Sequence, residues 1–407
     1  MKLNPVASAV LLLLFQAKGY QKAPQSVLRS LRRKAIDTHS LQWAERLDYD
    51  AFRSEVSSLG RKLQADEGQE DIKHLNMLVS WRNCFAVLGL ATMWLPANPI
   101  SIVALSLWTY ASWTMIAHHV CHGGYNRIST SDSQFRSNGF ALGSVIRRII
   151  DWQDWMLPEA WNLEHNRLHH YHLGEGLDPD LVERNLGFLR TLPVPKILKQ
   201  LTVLSLVPVW KWVYYAPNTF RELQIQERIR SKQSLPQHLD PHYSSVTLKT
   251  VFLPMNNMER AVSQVVNPFK LLFKVLMPFF LCRFILLPLP LLIVNKGFYK
   301  NAIQNLLAAE LFTNIHSFIT IVTNHAGSDL YSFDDSVKPR SGSFYVRQII
   351  SSVNYNYGNN FLDFLHGWLN YQIEHHVWPD LSMLSYQKGA PQLRAICEKY
   401  GMYSSCA

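Results

Sequence analysis

The chain has 407 residues, enough for one large or two ordinary domains, or for a membrane-spanning bundle beside a polar portion. Hydrophobic residues make up 48% and charged residues 17%, low in charge for a soluble protein and only moderately apolar for a membrane one, so a few spans and a sizeable polar part fit best. The net charge of +10 suits a face on anionic headgroups or one docking an acidic electron carrier, and without any zinc-finger or aromatic-plus-basic motif it does not suggest nucleic-acid binding.

Residues 1–35 read as a targeting segment. Lys2 precedes an apolar run from Val6 to Phe15, too short to span a bilayer, with small residues near Ala17. The acid-free stretch from Gln25 to Lys34 then carries Arg29, Arg32, Arg33 and Lys34. A signal plus a transit-like segment fits a complex plastid; the alternative of equal weight is an apolar N-terminus followed by a basic amphipathic helix. Residues 36–77 are polar and helix-compatible, with no HPGG haem signature, so electrons, if needed, come from a separate protein.

From Asn83 to Ala117 no residue is charged, and PANP at 96–99 interrupts the run. The pattern predicts two helices, Leu78–Leu95 and Ile100–Ala117, each about long enough for a bilayer at ~1.5 Å per residue. A second hairpin is predicted as Val275–Val294 and Ala302–Val322, although Arg283, Glu310, Asn314 and His316 lie inside it, and polar groups there are costly unless they are paired or line a cavity. Lys196–Tyr215 reads as an interfacial helix. The expected fold is all-α: a multi-pass membrane protein of about four transmembrane helices in two hairpins, with a helical, histidine-rich cap on one membrane face. Five cysteines, Cys84, Cys121, Cys282, Cys397 and Cys406, form no CxxC pair and read as reduced thiols.

Sixteen histidines are many, and at least half fall in short stretches. HHVCH supplies His118, His119 and His122; HNRLHH supplies His165, His169 and His170; QIEHH supplies Gln372, Glu374, His375 and His376; and TNHAG supplies His325. His118 and His122 are i, i+4 neighbours on one helix face, as are His165 and His169. The two-hairpin topology brings every cluster to one membrane face. So many imidazoles exceed what one ion accepts, and two metal ions are the economical reading. Imidazole suits zinc, copper and iron alike, so ligand type leaves the metal open.

HHVCH, HNRLHH and QIEHHVWP, in this order and spacing, resemble the three histidine boxes of the membrane fatty acid desaturases, and Gln372 heading the third box resembles the front-end acyl desaturases in particular. The resemblance covers residues 78–402, taken as the membrane domain. It implies two iron ions held by His118, His122, His165, His169, His170, His375 and His376, with Gln372 and His325 as weaker members. It also implies O2 as co-substrate, electrons from cytochrome b5 or ferredoxin, a lipid acyl substrate, and a place in the endoplasmic reticulum or a plastid membrane. Glu164, Glu374, Asp178 and Asp180 are candidates to receive the second N–H of ligating imidazoles, and His119 is taken as a weaker or supporting member. His119 stands where the family often has Asp, no cytochrome b5 domain is fused, and Glu164 before the second box also resembles membrane alkane hydroxylases. A hydroxylase or ketolase of a lipid, sterol or carotenoid, and a membrane zinc hydrolase, therefore remain alternatives.

His316 and His325 are nine residues apart, about 900° of helix, and cannot share a face if the helix is unbroken. His325 lies on a largely polar stripe with Glu310, Asn314, Ser317 and Ile321, at the membrane end where the clusters gather. That makes His325 a ligand, Asn314 a supporting residue, and His316 a packing residue.

Overall fold

The computed structural model describes residues 21–22, 42–128, 133–181, 189, 191–239, 246–325 and 331–402. Apart from Gln21 and Lys22, the targeting segment proposed for 1–35 lies outside the described residues. The chain is about 71% helical. Among the described residues, paired strands occur only as Gln21–Lys22 alongside Tyr331–Ser332.

Helix α1 (Tyr49–Ala65) starts where the Asp48 carboxylate accepts from the backbone N–H groups of Asp50 and Ala51. Helix α2 (Gln69–Thr92) follows after a short turn, and helix α3 (Pro99–Cys121) is capped by Asn98 with Pro99 in its first turn. The second histidine cluster lies on α4 (158–172), ahead of α5 (Lys196–Leu206) and α6 (Ala216–Arg230). Then come α7 (Pro268–Val294) and α8 (Lys296–His325). Short helices α9 (Gly342–Ile350) and α10 (Gln372–Val377) precede α11 (Met383–Lys399).

Among the described residues, three helices are long and apolar enough to cross a membrane, α3, α7 and α8, against the expected count of about four. The expected span Leu78–Leu95 lies largely in α2, a continuous helix that begins nine residues earlier with Glu70, Asp71 and Lys73 in its first turns and carries the polar Arg82 and Asn83 within its apolar stretch. α2 still packs along α3, and so does α8. The link expected between the second pair shrinks because Asn295 caps α8 through the N–H of Gly297, making the rest of the link helical. α7 leaves Phe269, Phe273, Leu286, Ile293 and Val294 exposed, an apolar flank suited to lipid. Its Arg283 is buried, donates to the Leu105 carbonyl (3.2 Å) and lies over the Trp108 ring.

The turn between α2 and α3 is held by one side chain of α8. Asn305 accepts from the Asn98 N–H (3.1 Å) and donates to the carbonyls of Met93 and Leu95 (both 3.0 Å). Backbone groups that a reversing chain leaves unpaired are thereby satisfied away from water.

The interfacial stretch 196–215 divides in two. In α5, Ile197, Leu201 and Leu204 are exposed along one face, as on a membrane surface. Beyond it Trp210, Lys211 and Tyr215 are buried, and Lys211 pairs with Asp154 (2.5 Å) and lies 3.6 Å from Glu310. The cap is closed by α1 against α9 and α11. Gly124 meets the Leu381 carbonyl so closely that a Cβ there would lie 2.6 Å away, which draws the chain after the first histidine cluster onto the chain after the third.

Candidate metal centre

The four clusters converge into two groups. His118, His122, His165, His170 and His375 form one, and His169, His325 and His376 the other; in each, the ring nitrogens lie within 4.8 Å of one another. The Nε2 atom of His118 is 2.9 Å from that of His375 and 3.2 Å from that of His165, which is 3.3 Å from that of His170. Imidazoles roughly 2.0–2.1 Å from a shared ion sit roughly 2.9 Å apart at right angles and roughly 3.3 Å apart at the tetrahedral angle. The buried Nε2 atoms of His122 and His169 have no hydrogen-bond partner among the described residues. Facing lone pairs at these separations, with orphaned nitrogens beside them, form a donor set that could hold a metal ion, and the residues of each group fit one ion.

Local helix geometry produces the partition. Residues 164–169 form a π-helical turn in which the N–H of His170 donates to the carbonyl of His165, five residues back. The expected i, i+4 pairing of His165 with His169 is therefore replaced. His165 and His170 share a face, and His169 turns to the other group. A second π-helical stretch, Ala111–Ala117, precedes the first cluster. His118 and His122 remain i, i+4 neighbours, and His119 stays outside both groups with its Nδ1 bonded to the Met115 carbonyl (2.6 Å).

The supporting shell is uneven. His169 Nδ1 donates to Asp178 (2.8 Å), which also accepts from the Gly174 N–H, while Asp180 lies 3.8 Å from the same nitrogen. His165, His169 and Asp180 make a third possible grouping. It borrows its histidines from the other two, and its carboxylate lies on the Nδ1 side of His169, so it reads as their outer support. Gln372 points its amide nitrogen at His325 (2.9 Å) and His376 (3.0 Å), and Asn324 donates to its oxygen. Glu164 is buried with both carboxylate oxygens unpartnered among the described residues; Glu374 accepts from Asn354 instead of from a histidine. Asn314 donates to the Pro208 carbonyl, and no described histidine is bonded to it. His316 stacks on Tyr110 and bonds the Leu365 carbonyl (2.7 Å), a packing role within the bundle.

Three supports carry no sequence signal. Gln348 on α9 accepts from His376 Nδ1 (3.1 Å) and donates to the His170 carbonyl, touching a member of each group. Tyr386 on α11 lies 3.4 Å from His375 Nδ1, and Trp161 stacks on His165. None belongs to a histidine motif, and each arrives by tertiary packing.

Burial pushes His165, His170, His375 and His376 well below the ordinary imidazole value, keeping them neutral with a free lone pair. For His169 burial acts in the same direction, but the Asp178 carboxylate outweighs it and holds the ring above its ordinary value. Glu164 is driven well above the usual carboxylate range by burial and by Asp180 and Glu222. Burial likewise lifts Glu374 to about 7.

The fatty acid desaturase family profile matches residues 92–406, and the chain belongs to that family. Over 106 residues it is 29% identical to an NADPH-dependent stearoyl-CoA 9-desaturase of Mycobacterium tuberculosis, covering 26% of this chain and 25% of that one. It is 32% identical over 93 residues to an acyl-lipid (9-3)-desaturase of Physcomitrium patens (23% and 16%), and 44% identical over 63 residues to an acyl-lipid (7-3)-desaturase of Diacronema lutheri (16% and 14%). The chain thus spans at most 25% of the length of these relatives. No solved structure matches it.

Proposed function

We propose that the protein is an O2-dependent di-iron desaturase that introduces a double bond into a lipid acyl chain, with electrons from a separate carrier, cytochrome b5 or ferredoxin. The observation that carries this reading is the division of eight histidines into groups of five and three. The five-histidine group would hold one iron, and the three-histidine group, edged by Gln372, the other. Iron bound there supplies the O2 chemistry that removes hydrogen from an unactivated methylene.

The chain's own residues do the rest. Asp178 and Gln348 orient His169 and His376 through their Nδ1 atoms. Trp161, Trp152 and Trp113 are buried in a chain of ring contacts running from His165 into α3, a dry wall that excludes water and packs an apolar tail. The endoplasmic reticulum or a plastid membrane is the proposed site of action, and the head group is an acyl-lipid or acyl-CoA, the two kinds named among the relatives.

Expression in a host that lacks the product tests the reading. A new double bond in the lipid profile, together with about two irons per purified chain, is expected from two separate imidazole groups. An added oxygen in place of a double bond makes the protein a hydroxylase. Zinc without iron makes it a hydrolase and overturns the proposal.

A further inference from the structure

A pocket of about 370 Å³ opens on the cap and reaches both histidine groups, since His170 of the first and His376 of the second form part of its lining. Arg53, Ser57, Gly60, Arg61 and Gln64 line one wall and recur at helical spacing along one face of α1. Arg127 and Arg340 complete the rim. All four arginines are exposed. Arg127 pairs with Asp380 (2.8 Å), whereas Arg53, Arg61 and Arg340 make no ion pair among the described residues. The rim therefore has a net charge of +3 after Asp380 is counted against the four arginines. Trp378, two residues beyond His376, lies in the same lining, its ring packed where a Cβ on Gly60 would collide. An aromatic ring and one imidazole edge from each histidine group thus lie in the lining beneath a cationic surface.

We propose that this pocket is the docking face for an acidic one-electron carrier protein, which passes electrons through the edges of His170, His376 and Trp378. The proposal rests on the desaturase reading and names the surface that serves it. Each docked carrier is oxidised by one electron. Two deliveries with two protons balance the reduction of O2 and the loss of two hydrogens from adjacent methylenes, giving two waters and one alkene. No lining residue belongs to α3, α7 or α8, so an acyl chain arriving from the bilayer would not enter here. Unpaired arginines on an exposed rim suit a transient redox encounter, which buries little area and depends on steering by charge. Three arginines without acidic partners among the described residues are what such a carrier would neutralise.

The full-length protein in detergent, the soluble haem domain of cytochrome b5 and a plant-type ferredoxin test this directly. Binding of each oxidised carrier is measured at about 0.01 M and about 1 M ionic strength, where the screening length falls from about 30 Å to about 3 Å. The wild type should bind at least one carrier saturably at low salt and lose it at high salt. The triple variant Arg53→Glu, Arg61→Glu, Arg340→Glu should bind about tenfold more weakly or worse, and the corresponding Gln variant should fall between them. Carrier-driven turnover should drop in parallel, and dithionite-driven turnover should not. The proposal is overturned if neither carrier binds the wild type, or if charge reversal leaves binding intact. It is also overturned if dithionite-driven turnover falls equally with a raised KM for lipid, which would make the pocket a headgroup site. Binding is read whether or not the protein turns over, so a wild type that makes no alkene with dithionite counts against the desaturase reading alone.

Discussion

His169 and His170 are neighbours in the chain yet belong to different groups, and so are His375 and His376. Successive side chains on a helix point about 100° apart, so one His-His dipeptide can serve two sites across a gap. Doubling of histidines in the second and third clusters is thus the local mark of the two groups. The first cluster also has a doubled histidine, but His119 is tied to a backbone carbonyl and joins neither group. At this scale the sharpest contrast is between His325 and His316. His325→Ala should lower bound iron from about two to about one per chain and abolish product formation, because it removes a member of the smaller group. His316→Ala should keep both irons, since its ring faces Tyr110 and Leu365. Metal analysis and product assay at matched expression check this; iron loss in the His316 variant with full iron in the His325 variant reverses the assignment.

At the scale of elements, two departures from regular geometry position the chemistry. The π-helical turn at 164–169 moves His170 into register with His165, and the last turn of α8 tightens to a 3-10 form over Val322–His325. The far end of the bundle depends on Asn305, which serves three backbone groups of the α2–α3 turn. Asn305→Leu fills similar space but strands those groups, and should cost about 1–3 kcal/mol because buried donors and acceptors lose their partners. The thermal unfolding midpoint in detergent should fall while bound iron per folded chain stays unchanged. An unchanged midpoint would show that water already serves the turn.

Across the whole molecule, the junction of α1 and α2 is pinned to the start of α11. Glu67 accepts from the Ser382 N–H (2.7 Å) and from the Ser385 hydroxyl, and Asp71 accepts from the Ser382 hydroxyl. Burial, opposed by the Ser382 bond and aided by the Asp71 charge, raises the Glu67 carboxyl from 4.5 to about 7. The folded chain then holds a proton that the unfolded chain has released between those two values, so this group's contribution to stability falls as pH rises through that window. Glu67→Gln should remove that slope and gain about 1–3 kcal/mol above pH 7, discounted for partial exposure. Unfolding midpoints at pH 5 and pH 8 for both proteins check it, and equal slopes would show that Glu67 ionises normally.

Sequence by itself determined the features that are local in the chain: the four histidine clusters and the apolar runs that became α3, α7 and α8. Each depends on spacing along one helix or on one continuous stretch, which neighbouring residues suffice to specify. The start of α2 was not legible, because its polar first turns are held by packing of the cap and carry no apolar signal. The division of the histidines into five and three was not legible either. It depends on a π-helical turn, and on contacts such as Gln348 with both His170 and His376 across 178 and 28 residues. Tertiary structure alone decided those, because a ring's partner is chosen by whichever distant helix packs beside it, and no residue near it in the chain carries that information.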